Sequence, residues 1–302
     1  MNDSIEKSIK KITADIDLKS QFFWDISDTD IQKFKNNFSK YSSNAGLYLL
    51  DMMIYYNSTH CNELTTSAIY ELKRNIWLNA QHEKHIFKNS NEIKQYVDTY
   101  LSQSFVFPVS NKDESGTSSE MLEGYYRSSS DFVPVNNYKS LNTLTEIIAA
   151  KKPKSIIFVD DIIGTGKQFS KFYSKYKHFY TDITIADCVE NNPNIDFYYL
   201  VFAADKIAYS NLCKEFPALK IIAVELFEDN DQVTNKNNEY WEFYDAYDAF
   251  MRDIEKIGKD FPRECRFSLD LPILYVSGRA QNTSFEYFWN DYDSKWDILK
   301  VR

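Results

Sequence analysis

The chain has 302 residues, of which 43% are hydrophobic and 26% charged, a balance that predicts a folded globular protein and excludes general disorder. Its formal net charge of -9 argues against a broad nucleic-acid-binding surface, because such a surface needs many Lys and Arg contacts to phosphates. The four cysteines form no CxxC pair and no apolar run is long enough for a membrane span or a signal peptide, so we predict a cytoplasmic protein with reduced thiols and no membrane contact.

The first third of the chain has the apolar spacing of helices. Phe34, Phe38 and Tyr41 recur at helical intervals, and residues 64–86 fit one long helix or two shorter ones. A second set with this spacing is Leu47, Leu50, Met53 and Ile54. We therefore predict an N-terminal all-α subdomain over residues 1–98. Its role is left open among packing against the rest of the protein, oligomerisation and binding of a protein partner.

From residue 99 onward, short runs that are apolar on both faces alternate with helical stretches. The apolar runs predict strands at residues 105–109, 155–159, 197–204, 221–226 and 272–276. The stretches between them predict helices at residues 119–127, 144–151, 182–189 and 239–257, with a strand as the alternative at 182–189. Apolar strands separated by helices are typical of a parallel sheet covered on both faces. We therefore predict an α/β domain over residues 99–302, with a mostly parallel sheet flanked by helices.

The strongest local signal follows the apolar run that ends at Val159. It reads Asp160-Asp161-Ile162-Ile163-Gly164-Thr165-Gly166-Lys167-Gln168. Carboxylates at the carboxyl end of a strand face the crevice where open α/β sheets bind ligands, and they accept hydrogen bonds from ribose hydroxyls. Glycines let the backbone approach a phosphate closely, and a following helix N-terminus presents N–H groups and partial positive charge to it. This order of residues predicts a ribose-phosphate pocket, with a purely structural strand-turn-helix corner as the alternative.

The segment is not a Walker A loop, because no glycine stands five residues before Gly166 and Lys167 is followed by Gln168. It resembles instead the phosphoribosyl pyrophosphate motif of type I phosphoribosyltransferases, in which an apolar strand, two acids and two apolar residues precede a Thr-Gly phosphate loop. The resemblance implies that Asp160 and Asp161 contact the ribose 2′ and 3′ hydroxyls. It also implies that the 5′-phosphate is surrounded by Gly164, Thr165, Gly166, Lys167 and Gln168.

Two positions depart from that motif. Purine-salvage phosphoribosyltransferases carry an acid, which can assist proton movement at the base, where this chain has Gly164. This difference favours a binding module over an enzyme. The usual closing threonine of the loop is Gln168 here. Its amide still donates a hydrogen bond, but its longer side chain places the donor farther from the backbone.

A second candidate site is the polar loop at residues 110–119. The resemblance implies a pyrophosphate loop at this place in the topology, and the hydrogen-bond donors of the right kind are Lys112, Ser115, Gly116 and Thr117. Mg²⁺ is the expected cofactor, bound with the ligand near Asp160 and Asp161, and approached by Asp113 or Glu114. A solvated loop with a serine N-cap is the alternative.

The layout from about residue 100 onward resembles most closely the phosphoribosyltransferase-like domain of bacterial conflict (anti-phage) systems. The resemblance rests on residues 160–167 and on the Asn-containing loop with its aromatic residues at 280–289. It implies an effector of anti-phage defence that binds phosphoribosyl pyrophosphate or a related ribose phosphate. Such a protein is either a phosphoribosyltransferase acting at ribose C1 or a non-catalytic nucleotide or ribose-phosphate sensor, which regulates a partner protein through the N-terminal helices.

Overall fold

The structure is a computed structural model, and it divides the chain into two compact units. Unit 1 combines Met1–His60 with Glu228–Arg302, and unit 2 is Cys61–Phe227. The structure describes residues 2–109, 124–126, 129, 143–175, 183–244, 246–262, 270–271, 273–275, 285–288, 292 and 295–299. These units do not coincide with the division at residues 98 and 99, which stays a prediction.

Helices and strands alternate through the middle of the chain. The helices are α1 (Asn2–Phe22), α2 (Asp28–Ser39), α3 (Ala45–Met52), α4 (Ser58–His82), α5 (Ser90–Ser102), α6 (Leu144–Lys151), α7 (Lys167–Lys175), α8 (Ile185–Glu190), α9 (Lys206–Glu215), α10 (Glu239–Tyr244) and α11 (Tyr247–Ile257). The strands are β1 (Ile54–Tyr56), β2 (Ser104–Pro108), β3 (Ser155–Ile163), β4 (Asp196–Asp205), β5 (Leu219–Phe227) and β6 (Ile273–Tyr275). Short 3₁₀ helices lie at Asp229–Asp231 and Glu286–Phe288.

Unit 2 contains the predicted parallel sheet. Its strands are ordered β2-β3-β4-β5, and every neighbouring pair is parallel. All nine residues of β3 are buried, as expected for a strand covered on both faces. The α/β fold class predicted from the sequence is therefore confirmed, including the helix at α8 that the sequence left ambiguous.

Helices cover both faces of this sheet, and two neighbouring tyrosines of β4 show it. The ring of Tyr199 stacks on Phe169 of α7, with ring centroids 3.9 Å apart. The hydroxyl of Tyr198 accepts a hydrogen bond from Asn79 of α4 at 3.2 Å. Because successive side chains of a strand point to opposite faces, α7 and α4 lie on opposite sides of the sheet.

Unit 1 is mainly helical, and its core joins both ends of the chain. Phe34 and Phe38 of α2 pack in one cluster with Phe250 of α11, Phe285 and Trp296. The helices predicted near the N-terminus are present. The spacing of Met53 and Ile54 was misleading, because α3 ends at Met52 and the chain turns into β1.

Two predictions in the C-terminal region are wrong. Residues 272–276 were expected to return to the main sheet, but β6 pairs with β1 in a separate two-stranded parallel sheet, with Ile273 opposite Ile54. The helix expected over 239–257 is divided into α10 and α11. Each helix is held by its own hydrogen bond to the preceding loop. Trp241 Nε1 of α10 donates to the Val233 carbonyl, and the Tyr247 hydroxyl of α11 donates to the Thr234 carbonyl, both at 2.8 Å.

A buried carboxylate links three elements of unit 1, and removing it should destabilise this unit. Asp51 of α3 is 9% exposed. It accepts hydrogen bonds from Lys19 Nζ at 3.0 Å and from the Tyr240 hydroxyl at 3.0 Å. We expect Asp51→Ala to lower the free energy of unfolding by about 2–3 kcal/mol, because it removes the carboxylate from the Lys19 ammonium, which keeps only the backbone carbonyl of residue 51, and leaves the Tyr240 hydroxyl without this acceptor. Tyr240→Phe, which removes one neutral donor, should cost about 1 kcal/mol. Equal losses in urea denaturation of the two variants would contradict this assignment.

Across the ranges that the structure describes, none of the helices is both long enough and apolar enough to cross a membrane.

Candidate functional site

The two predicted acids are the sixth and seventh of the nine residues of β3, toward the carboxyl-terminal edge of the sheet. The sequence placed the end of this strand at Val159, but β3 continues to Ile163. It continues because β4 is ten residues long and pairs with it to the end, with Ile163 opposite Ala204. The acids are therefore strand residues, and only Ile162 and Ile163 separate them from the turn that begins at Gly164.

Asp160 is held on the side of the sheet that faces α7. It is 5% exposed, its Oδ1 accepts from the Asp161 backbone N–H at 3.0 Å, and its Oδ2 accepts from the Tyr199 hydroxyl at 3.1 Å. Burial, followed by the negative charge of Asp161, raises the pKa of the Asp160 carboxyl well above its ordinary value. A raised pKa favours the neutral carboxyl, which carries an O–H donor as well as an acceptor.

Asp161 faces the opposite side, toward α4. It is 4% exposed, and its Oδ1 accepts from the Ile162 backbone N–H at 2.8 Å. Its neighbour on this side is Cys61 of α4, whose pKa is raised to about 11, chiefly by burial, with a further contribution from Asp161 and an opposing one from a hydrogen bond with Tyr125. Strand alternation therefore places the two acids on different faces, while their carboxyl groups stay close enough for a hydrogen bond with each other. Their joint contact with one ribose stays a prediction.

The predicted phosphate loop forms one tight turn between β3 and α7. Gly166 is buried and has a left-handed φ of 73°. The left-handed backbone favours glycine, and a Cβ at this position would also lie 3.2 Å from Cγ of Leu212 in α9, a tight contact that Leu212 would have to relieve by moving. The Gly166 carbonyl accepts the first helical hydrogen bond, from the Ser170 N–H at 2.9 Å.

The remaining side chains of this turn are arranged around that glycine. Thr165, Lys167 and Gln168 are exposed, and Gly164 is half-buried. The first N–H groups of a helix lack partners within the helix, so the start of α7 offers donors beside these side chains. The structure thus brings the five predicted loop residues together at one helix N-terminus.

The described chain that leads to the second candidate loop ends beside β3. Strand β2 is the direct neighbour of β3, with Pro108 opposite Val159, and the Val109 N–H donates to the Val159 carbonyl at 3.0 Å. Val109, the last described residue before the 110–119 loop, thus lies next to the end of the apolar run that precedes Asp160. Its predicted ligand-binding residues lie outside the described residues: Lys112, Ser115, Gly116 and Thr117.

The described side chains do not form a magnesium site of their own. Within the described ranges, no group of three or more His, Cys, Asp or Glu side chains could hold a metal ion. Mg²⁺ in phosphate-binding proteins usually keeps several waters and is held by one or two carboxylates together with ligand phosphates. The Mg²⁺ predicted near Asp160 and Asp161 would be of this second kind, in which the ligand supplies most of the coordination, and it stays a prediction.

The sequence did not predict two neighbours of the acids. Tyr199 lies in an apolar run whose residue types predict only a buried strand, and its contact with Asp160 depends on strand order. Cys61 has no local motif at all, and it comes near Asp161 because α4 crosses that face of the sheet. Strand order and helix placement are long-range features, so neither contact has a local signal.

A buried parallel sheet, with two acids and a glycine turn at its carboxyl-terminal edge, defines a phosphoribosyltransferase-like α/β protein. Comparison with protein-family models matches the family PRTase-CE over residues 31–300. The chain therefore belongs to PRTase-CE, a phosphoribosyltransferase-like family, and the resemblance to phosphoribosyltransferase-like proteins is confirmed. Comparisons with curated proteins and with solved structures found no match.

Proposed function

We propose that this protein binds phosphoribosyl pyrophosphate, or a related ribose phosphate, together with Mg²⁺. The observation that carries the proposal is the joined set of two buried acids, a left-handed glycine turn and a helix N-terminus at one sheet edge. The glycine turn supplies the phosphate end of the site, and the acids supply acceptors, and in the case of Asp160 also a donor, for ribose hydroxyls. Membership of a phosphoribosyltransferase-like family supports the same ligand class.

As an enzyme, this site would act at ribose C1. In the reaction, the bond from C1 to the pyrophosphate oxygen breaks and the pyrophosphate leaves with the bonding electrons. An acceptor oxygen or nitrogen forms the new bond to C1 and loses its proton to solvent or to the departing pyrophosphate. The chain's part is to hold the ribose at Asp160 and the 5′-phosphate at residues 164–168, so that C1 is positioned for attack. Bound Mg²⁺ would neutralise charge on the leaving pyrophosphate.

The alternative is a sensor that binds the same ligand without chemistry and regulates a partner protein. Gly164 favours this alternative, because it stands where purine-salvage enzymes carry an acid that assists proton movement. Phosphorus NMR distinguishes the two roles. An enzyme with water as acceptor converts phosphoribosyl pyrophosphate into ribose 5-phosphate and pyrophosphate, and with another acceptor it does so when that acceptor is added. A sensor leaves the ligand intact under every condition.

We further propose that the biological setting is bacterial anti-phage defence, as an effector. The proposal derives from the likeness of residues 160–167 to the loop of conflict-system proteins. Expression of the wild-type protein with its neighbouring genes should lower phage plating efficiency, and Asp160→Asn should restore it. Equal plating with both proteins would contradict an effector role for this site.

Titration calorimetry with phosphoribosyl pyrophosphate and Mg²⁺ tests the binding proposal directly. We expect a saturable heat that is lost in the Asp160→Asn/Asp161→Asn variant. Asp196→Asn is the matched control, because Asp196 begins β4 at the opposite edge of the same sheet and this variant removes a carboxylate away from the site. Binding that survives in the double variant, or that is lost equally in the control, would refute the proposed site.

A further inference from the structure

A groove runs along the outside of the candidate phosphate loop, between α7 and α9. Its volume is about 390 Å³, and Thr165 and Lys167 of the loop form one end of its lining. The lining continues along α7 through Ser170, Lys171 and Lys175. The groove is therefore continuous with the loop and extends away from Asp160.

The charge of this groove is opposite to that of the protein as a whole. Lys167, Lys171 and Lys175 recur at intervals of four residues, which places them about 6 Å apart along one side of α7. Glu215 of α9 is the single carboxylate among the described lining residues, and it accepts a hydrogen bond from the Ser170 hydroxyl at 3.2 Å. In a chain with a net charge of -9, a lining of three ammonium groups against one carboxylate is a local anion-binding surface.

The two lysines farther from the loop have no acidic partner among the residues that the structure describes. Both Lys171 and Lys175 are exposed, and neither forms an ion pair with any residue that the structure describes. The long lysine stems allow the ammonium groups to converge on one bound anion. Serine and asparagine side chains of the same lining, at Ser174 and Asn211, add neutral hydrogen-bonding groups.

We infer that the α7–α9 groove binds the outer phosphates of a nucleoside 5′-polyphosphate whose first phosphate occupies the glycine turn. This inference rests on the proposed ribose-phosphate site. With the ribose at Asp160 and the 5′-phosphate at the turn, any group attached to the far side of that phosphate enters the groove. A chain of phosphates is the attachment that fits, because the groove offers ammonium, hydroxyl and amide groups and is too short for the many contacts of a nucleic-acid strand.

Titrations with adenosine 5′-monophosphate, adenosine 5′-triphosphate and inorganic tripolyphosphate test this inference at one fixed salt concentration. We expect the triphosphate to bind at least about tenfold more tightly than the monophosphate. Lys171→Ala/Lys175→Ala should abolish this difference and leave monophosphate affinity within about twofold of wild type. Glu215→Gln, which removes the groove's carboxylate, should tighten tripolyphosphate binding. Lys33→Ala/Lys40→Ala is the matched control, because it removes two exposed lysines from unit 1.

The outcomes separate this inference from the proposed function. Tripolyphosphate binding that persists in Asp160→Asn/Asp161→Asn but is lost in Lys171→Ala/Lys175→Ala, together with the tighter triphosphate, would support the groove. Equal affinity for monophosphate and triphosphate would overturn the inference while leaving the proposed function standing. Failure of the monophosphate, the triphosphate and phosphoribosyl pyrophosphate to bind would overturn both.

Discussion

Asp160→Asn should make the protein more stable at neutral pH while abolishing ribose-phosphate binding. Asp160 is buried beside Asp161, and both effects raise its pKa, so the fold favours its neutral form. Asparagine has the shape of the neutral acid, and its carbonyl oxygen can still accept from the Asp161 N–H. The Tyr199 hydroxyl, which now donates to Asp160, can rotate and accept from the new amide. We expect a gain of about 1 kcal/mol or more in the free energy of unfolding at pH 7.5.

The stability gained by Asp160→Asn should increase with pH. A carboxyl whose pKa is raised on folding stabilises the fold fully below its unfolded pKa, near 3.8, and loses that contribution as pH rises toward the folded pKa. The advantage of Asp160→Asn over wild type should therefore grow with pH, by at most about 1.4 kcal/mol per unit. Urea denaturation of both proteins between pH 5 and pH 8 measures it.

Tyr199→Phe is the control for this experiment. The Tyr199 hydroxyl donates to Asp160 and lowers the pKa of that carboxyl, opposing burial, so its removal should extend the pH-dependent loss of stability to higher pH. Asp160→Asn removes the titrating carboxyl, whereas Tyr199→Phe keeps it and raises its pKa further. A constant difference between wild type and Asp160→Asn from pH 5 to pH 8 would contradict the raised pKa, because it would mean that Asp160 is ionised in the folded protein as it is in the unfolded chain.

Gly166→Ala should destabilise unit 2 and abolish phosphate binding at the turn. The left-handed φ of 73° costs a residue with a Cβ about 1–2 kcal/mol, and the new methyl group would also press on Leu212 at 3.2–3.3 Å. Relief by backbone movement would shift the N–H groups that face the phosphate. Denaturation and ligand titration of the same variant measure both effects.

Two further substitutions separate backbone strain from crowding. Asparagine tolerates the left-handed region better than alanine, so Gly166→Asn should cost less than Gly166→Ala if φ dominates, and as much or more if the contact with Leu212 dominates. Gly124→Ala is the control, because Gly124 lies in a helix and an added Cβ meets no described atom within 4 Å. It should be neutral or stabilise by up to about 1 kcal/mol. Full phosphate affinity in Gly166→Ala would contradict a role for this turn in binding.

The sequence predicted those elements that a short run of residues identifies by itself, such as a fully buried strand or a glycine turn. The buried strand β3 was visible because every residue from Ser155 to Val159 is apolar or small, and its turn was visible because glycine is rare in this chain. The extension of β3 to Ile163 was not visible, since two acids interrupt the apolar run and only pairing with β4 continues the strand.

Features that depend on distant partners were not predictable. Ile54 and Ile273 are 219 positions apart, and nothing in either three-residue strand specifies the other. The opposite orientation of Asp160 and Asp161 likewise followed only once both were known to be strand residues. Residue types alone therefore indicated where along the chain a candidate site lies, whereas its side-chain geometry required the fold.

Unit 1 is built from two separate segments of the chain, which determines when it can fold during synthesis and which fragments can fold alone. Its core needs Phe34 from one end of the chain and Phe250 and Trp296 from the other, so this unit is completed only after residues 61–227 have been translated. Until then its N-terminal half exposes an unfinished apolar surface, and the sheet unit can fold first as an insertion. An N-terminal fragment made in isolation should behave as an aggregation-prone half-core, whereas a fragment of residues 61–227 retains every strand of the main sheet.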